Sequence, residues 1–337
     1  MPSYKTGTVT NIISERAGLQ RVEVDGEPSY VLTQLIGDVA VGDRVVVNTT
    51  AVALGLGTGG WHVVHWNLSR DEWSQPGRGH VMKLRYTSLQ ADTGVTEEDG
   101  PIPDGLEGTP VVALALHSQL ACAAAAVKAR DESLRVVYVM TDGGALPLVL
   151  SDLLADLLDQ GVVDATVTTG HAFGGDLEAV NVRTGLALAK WHLDADVVFA
   201  GMGPGSVGTG SFLGFSGLEV ASALDAAGDS GGEAIAALRV SDADERLRHR
   251  GVSTHSKAAI GLTHVPVMLP VPAGCRDFPW LDAMGTVVEV TVPDAVGYLA
   301  ARGITPTTMG RTPADDPRAF SFAAAAGAYA QSRVRDH

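Results

Sequence analysis

Cysteine is nearly absent from this chain: Cys122 and Cys275 are the only two. Two thiols make neither a disulfide framework nor a zinc ribbon, so a reducing, cytoplasmic setting is expected. Lysine is scarce as well. Only five of the 24 basic residues are lysine, against 39 acids, and the net charge is −15. That balance argues against duplex nucleic acid or an anionic membrane as the main partner. Long apolar runs are missing too. The longest, Val111 to Val127, contains His117, Ser118 and Gln119 and breaks into a strand and a helix, so no membrane span is expected. Met1-Pro2-Ser3-Tyr4-Lys5 lacks the pattern of a signal peptide. The phosphate-loop signature G-x-x-x-x-G-K-[ST] and the zinc signature H-E-x-x-H are lacking, and Gly203-Pro204-Gly205-Ser206 does not have the spacing of the nucleophile elbow G-x-S-x-G.

Glycine, in contrast, is abundant, and it is concentrated. The stretch Gly201-Met202-Gly203-Pro204-Gly205-Ser206-Val207-Gly208-Thr209-Gly210-Ser211 has glycine at five of eleven positions. It follows the apolar run Asp196–Ala200, a buried strand by composition, and precedes the helical pattern Leu218–Ala226. Glycine loses more backbone entropy on folding than any other residue. Such density is expected to serve close approach of backbone N–H groups to a ligand, most often an anion, rather than packing. Gly203 to Gly208 fits G-x-G-x-x-G after a strand. The helix, however, starts late, and Asp225 and Asp229 fall before the next strand rather than at its end, which argues against a nicotinamide site.

Residues 1–68 lack a helical period. Short β-branched runs at Thr8–Thr10, Gln20–Val24, Tyr30–Leu32 and Arg44–Val47 are punctuated by Asp25-Gly26, Ile36-Gly37-Asp38 and Val41-Gly42-Asp43, the pattern of a small β-barrel. A second glycine loop, Gly55 to Gly60, leads into Trp61-His62. Residues 69–109, with Gln75-Pro76-Gly77-Arg78-Gly79-His80, read as a linker and extended segment. From 110 to 337, strands and helices alternate. This predicts an α/β domain: a doubly wound, mainly parallel, Rossmann-like three-layer sheet with a ligand crevice at the C-terminal strand ends. Helices are expected over Leu146–Leu158 and Leu177–Trp191, among others.

The strand ends carry the candidate chemistry. Candidate catalytic groups are His117, Asp142, His171 and His255. Gly203, Gly205, Ser206, Gly208, Thr209, Gly210 and Ser211 are candidate ligand-binding positions, with Arg250 and Lys257, and Arg248 beside them, as counter-charges. Each has a plainer reading. A lone histidine such as His117 is more often a satisfied core residue, Ser118 and Asp176 sit where helix caps sit, and basic residues often form a solvated face. His117, Asp142, His171 and His255 would also serve as metal ligands if they met, but their wide spacing is unspecific. A serine nucleophile (Ser118, Ser206 or Ser211) with a histidine base is a further alternative. No cofactor follows from the sequence.

The loop at 201–211, the Gly-Thr-Gly-Gly-Trp-His segment at 57–62, Gly79-His80-Val81-Met82-Lys83-Leu84-Arg85-Tyr86 and Ser253-Thr254-His255-Ser256-Lys257 together resemble a full-length bacterial family of unknown function, familiar from actinobacterial genomes. The resemblance covers nearly the whole chain and implies a cytoplasmic bacterial protein. It implies no activity and no catalytic residue. The reading that follows is a small anionic ligand, phosphorylated or carboxylated, held at the glycine loop by a hydrolase or transferase. The alternatives are a non-catalytic sensor or adaptor for a nucleotide-like ligand, and a homo-oligomeric scaffold.

Overall fold

The computed structural model describes residues 2–56, 59–77 and 79–334. Gly57 and Thr58 of the second glycine loop, Arg78, and the last three residues of the expected α/β domain lie outside the described residues. The chain divides into two compact units, Met1–Gly94 and Val95–His337.

In the first unit, β1 (Tyr4–Arg16), β2 (Leu19–Val24), β3 (Glu27–Leu32), β4 (Arg44–Asn48) and β5 (His62–Asn67) close a barrel in the order β1-β2-β3-β5-β4. The alternating valines explain it. Val22, Val24, Val31, Val45, Val47 and Val64 all point inward and are buried, and closure leaves no strand edge unpaired. β2 and β3 join through Asp25-Gly26, both with positive φ (50° and 82°), the two-residue hairpin that an Asp-Gly pair favours. Helical turns α1 (Thr33–Ile36) and α2 (Thr50–Ala53) fill connections, and β6 (Met82–Lys83) pairs with β7 (Ala91–Asp92). Residues 69–94 thus group with the barrel, and 95–109 with the second unit.

The second unit is a doubly wound α/β domain after the barrel, as expected. Its strands, in chain order, are β8 (Pro110–Leu114), β9 (Val136–Thr141), β10 (Ala165–Thr169), β11 (Leu177–Ala179), β12 (Val197–Met202), β13 (Glu233–Ala237), a two-residue ribbon of β14 (Val240–Ser241) and β15 (Gly251–Val252), then β16 (Met268–Pro272) and β17 (Thr286–Val290). The eight-stranded parallel sheet has the order β11-β10-β9-β12-β8-β13-β16-β17. The helices are α3 (Gln119–Lys128), α4 (Asp152–Asp159), α5 (Val182–Trp191), α6 (Val220–Asp229), α7 (Thr254–Ile260), α8 (Ala295–Ala300) and α9 (Pro317–Arg333). Both faces of the sheet are covered, which is why its strands are continuously apolar. Along β9, Val136, Tyr138 and Met140 face the layer of α3, α4, α8 and α9. Val137 and Val139 face that of α5, α6 and α7. β8 leaves through α3 on one face and its neighbour β13 through α7 on the other. The two connections therefore part above the C-terminal ends of β8 and β13, where such sheets open a crevice.

Two expected helices start late. The first begins at Asp152, capped by Ser151, whose Oγ accepts the Leu154 N–H at 3.0 Å. The second begins at Val182 under the Asn181 side chain. Leu177–Ala179, read as helix from the sequence, instead extends the sheet beside Val167–Thr169. Asp176 does not cap a helix; it accepts from the Thr166 N–H and hydroxyl, both at 2.8 Å.

The alanine-rich α3 and α9 pack closely because small side chains let the backbones approach. Gly327 faces the Ala123 carbonyl, and any Cβ there would overlap it. Gly327→Ala should therefore cost about 3 kcal/mol or more, as overpacking does in a close-packed core. A urea-unfolding midpoint equal to wild type would refute this account of the helix crossing.

Candidate functional site

A cavity of about 220 Å³ lies at the C-terminal ends of β8, β12 and β13. Its floor is apolar, with Leu116, Met202, Ala237, Val220 and Ile260. Arg239, Arg246 and Arg248 line it together with His249 and His255, and among the described residues no carboxylate lines it. In a chain of charge −15, this is a local positive pocket.

The arginines are placed by one loop. After β13 the chain turns at Arg239, where the backbone N–H donates to Ser256 Oγ at 3.0 Å and the carbonyl accepts the Ser253 N–H at 2.8 Å. The β14–β15 ribbon then closes the loop that carries Arg246, Arg248 and His249. Asp244 anchors this loop from inside. Only 2% of the residue is exposed. Its Oδ1 and Oδ2 accept Arg246 Nε and Nη2, each at 2.9 Å, and its backbone N–H donates to Ser241 Oγ. Arg239 Nη2 and Arg311 Nη2 stand 3.6 and 3.7 Å from Asp244 Oδ2. The bonded Arg246 holds the Asp244 carboxyl well below the usual carboxylate range. Arg239 is nine-tenths buried, and its Nη2 has no hydrogen-bond partner.

The two histidines form the aromatic wall. His255 stacks on Phe215 with ring centroids 3.7 Å apart and 6° between planes, and His249 meets His255 edge-on at 4.7 Å. Arg248 Nε donates to His249 Nε2 at 3.2 Å. Arginine is always a donor, so Nε2 is unprotonated and Nδ1–H donates to Ser253 Oγ at 2.7 Å. Burial first, then the surrounding arginines, pushes His249 down to about 3 and His255 to about 4. Both are neutral imidazoles at pH 7.

The glycine loop divides in two. Its first half is packing: a Cβ at Gly203 would overlap the Ala145 carbonyl, and one at Gly201 would press on Leu114. Ala145 N–H donates to the Pro204 carbonyl at 2.7 Å across the same contact. Glycine density there reflects close approach of two strand-end backbones, against the expectation that packing could not account for it. The second half is a small hairpin. Thr209 N–H donates to the Gly214 carbonyl at 2.8 Å, Gly214 N–H to Ser211 Oγ at 3.0 Å, and the Thr209 and Ser211 hydroxyls meet at 3.0 Å. Of the candidate binding positions, Ser206 and Gly208 line the cavity, while Gly205 faces open space with φ +91°. Gly210 sits beside Arg248.

The other candidates lie elsewhere. His117 is buried beneath the site. Tyr138 donates its O–H to the Gly201 and Met202 carbonyls at 2.9 and 3.0 Å. It therefore accepts His117 Nδ1–H at 3.1 Å, and Ser151 donates to His117 Nε2 at 2.7 Å. This is the satisfied core histidine of the plainer reading. Ser118 shares its hydroxyl with Thr308 at 2.8 Å. Asp142 and His171 do meet, but through the backbone: His171 N–H donates to Asp142 Oδ2 at 2.9 Å, at the ends of β9 and β10. Lys257 Nζ lies over the Trp280 ring at 3.7 Å, and Arg250 Nε donates to the Asp244 carbonyl at 2.9 Å. Neither Lys257 nor Arg250 lines the cavity. Among the described residues no group of three or more His, Cys, Asp or Glu is placed to hold a metal ion. Cys122 and Cys275 are free thiols, and burial pushes Cys122 up to about 12.

Sequence reading missed Arg239, Arg246, His249, Phe215 and Glu219. Arg239 had a usable signal: one charge inside the buried run Ala234–Val240, which must be paired or aimed at a ligand to be tolerated. Glu219 gave no such signal. It accepts from the Thr141 hydroxyl, and burial, with Asp142 nearby, pushes it up to about 7.

Residues 29–327 match the family described as a protein of unknown function, DUF3866. The match spans most of the chain, and the chain belongs to this family. None of the curated proteins compared with the chain matches it. No helix among the described residues is long and apolar enough to cross a membrane.

The buried histidines set an acid-side stability profile. Burial pushes His117 down to about 4, so between pH 6.5 and 4 the unfolded chain binds a proton that the folded chain does not. Stability therefore falls as pH drops through that window, by on the order of 3 kcal/mol from His117 alone. His249 and His255 act in the same direction. Glu219, raised above its unfolded value, opposes them, because its carboxylate form is lost on folding between pH 4.5 and 7. Glu219→Gln should thus stabilise the protein at pH 8 and steepen the loss below pH 6.5. Urea midpoints at pH 8, 6 and 4.5 check both signs.

Proposed function

We propose that the protein binds a small organic anion in the cavity at the ends of β8, β12 and β13. The observation that carries this reading is Arg239. A nine-tenths-buried guanidinium whose Nη2 makes no hydrogen bond, with Asp244 Oδ2 no nearer than 3.6 Å, lines a cavity that has two further arginines and, among the described residues, no carboxylate in its lining. Such a donor is costly unless an acceptor arrives, and a charge-assisted bond to an oxyanion supplies one. Ser206 and Gly208 bring the glycine loop to the same cavity, so the loop contributes one wall rather than the whole anion cradle.

His255 favours a hydrolase or transferase acting on that anion over a silent sensor. Its imidazole lines the cavity and is neutral, held flat by Phe215. An anion seated against the arginines offsets their repulsion of a proton, so His255 becomes a stronger base once ligand is bound.

The test is stabilisation by a panel of organic phosphates and carboxylates. A ligand at a hundredfold excess over its Kd should add about 2.7 kcal/mol to stability. Arg248 is exposed, so Arg248→Ala should fold normally and weaken binding about tenfold, the loss of one charge-assisted bond. His255→Gln should abolish turnover of the bound compound while affinity changes little. Binding by Arg248→Ala indistinguishable from wild type, or no stabilisation by any anion, sinks the binding reading. Turnover unaffected in His255→Gln sinks the catalytic one.

A further inference from the structure

The cavity has two chemically opposite halves, and their sizes and charges constrain what fills it. On one side stand Arg239, Arg246 and Arg248. Among the described residues the carboxylate that touches this group is Asp244, behind the wall, which takes Nε and Nη2 of Arg246 at 2.9 Å and stands 3.6 Å from Arg239 Nη2. One of the three positive charges is thereby matched, and two remain uncompensated toward the cavity. On the other side the floor is Ala237, Met202, Val220, Ala259 and Ile260, all buried. Ser256 Oγ, at the arginine end of that floor, accepts the Arg239 N–H. The side chains of Ala237, Met202, Val220, Ala259 and Ile260 offer no hydrogen-bond partner to a ligand rich in hydroxyls. The volume, about 220 Å³, exceeds the ~150 Å³ that accepts one benzene in an engineered apolar cavity.

We infer that the ligand is a phosphate monoester of a compact apolar group about the size of one ring, its dianion among Arg239, Arg246 and Arg248 and its body on the Val220–Ile260 floor. This rests on the anion-binding reading above and narrows it. A dianion matches the two uncompensated charges, and a bidentate oxyanion suits guanidinium geometry. A sugar phosphate would bury hydroxyls against Met202, Val220 and Ile260 without partners, a penalty that discriminates strongly. Inorganic phosphate would leave the apolar floor wet and forfeit its burial.

The experiment compares four probes on the full-length protein by calorimetric titration at pH 7.5: phenyl phosphate, glucose 6-phosphate, inorganic phosphate and benzoate. Phenyl phosphate should bind at least tenfold more tightly than each of the others, and Arg248→Ala should weaken its binding about tenfold. If glucose 6-phosphate or inorganic phosphate binds as tightly as phenyl phosphate, anion binding stands and the apolar body is wrong. If benzoate binds as tightly, the dianion is wrong. If none of the four binds while other anions of the wider panel do, the inference falls and the anion reading survives. If phenyl phosphate binds best but Arg248→Ala binds it equally well, the assignment to this cavity is overturned.

Discussion

A carboxylate inside a protein must be paired, and the buried Asp244 organises the site by being paired several times over. Its side chain fixes the Arg246 fork, its carbonyl takes Arg250, and its charge draws Arg239 and Arg311 to within 4 Å. Arg311 is held in turn by Asp316, which also accepts the Ser241 hydroxyl and the Asp242 N–H. The loop between β14 and β15 thus has little freedom, although much of it lies at the surface. Removing one partner from such a cluster leaves an uncompensated charge, the expensive outcome in a low-dielectric setting. The cluster explains how several arginines sit together without repelling the loop apart.

The wall opposite is fixed by different physics. Phe215 ends the glycine hairpin and stacks flat on His255, tying the loop to α7 through an aromatic contact rather than a charge. Further back, Tyr138, His117 and Ser151 form one hydrogen-bonded line from the start of the glycine loop to the cap of α4. Every donor in that line has an acceptor, so the loop leaves β12 at a defined angle. The base of the loop is rigid because of packing and buried hydrogen bonds. Its tip, with Val207, Phe212 and Leu213 exposed, is held only by its own backbone and hydroxyls.

The fold was legible because its signals are local and repeated. Alternating valines with Asp-Gly turns specify the barrel. Apolar runs spaced by amphipathic helices specify a parallel sheet buried on both faces, and the rule for such sheets places a crevice at their C-terminal strand ends. Errors arose where tertiary context overrode composition. Leu177–Ala179 has a helical look, but an open sheet edge beside Val167–Thr169 claims it. For the candidate site, the sequence points to these strand ends and to basic residues, but not to which side chains line the cavity. Lys257 and Arg250 look like counter-charges in sequence, yet one lies on Trp280 and the other braces the Asp244 carbonyl. Arg246 and Arg248 lie beside Arg250 in sequence, and only the turn of the loop decides which guanidiniums face inward.

The same geometry would let a strongly acidic protein accept the anionic guest proposed above. Surface acids at a net charge of −15 are screened beyond about 8–10 Å at physiological salt. Arginines in a concave, partly apolar pocket are screened much less, and their field is focused there. Neutral His249 and His255 are consistent with that field, since Arg239 and Arg246 disfavour a proton on either ring. A dianion entering the pocket reverses the sign of what each imidazole faces. Proton affinity and anion affinity are therefore coupled through the same few ångströms, and each must strengthen the other.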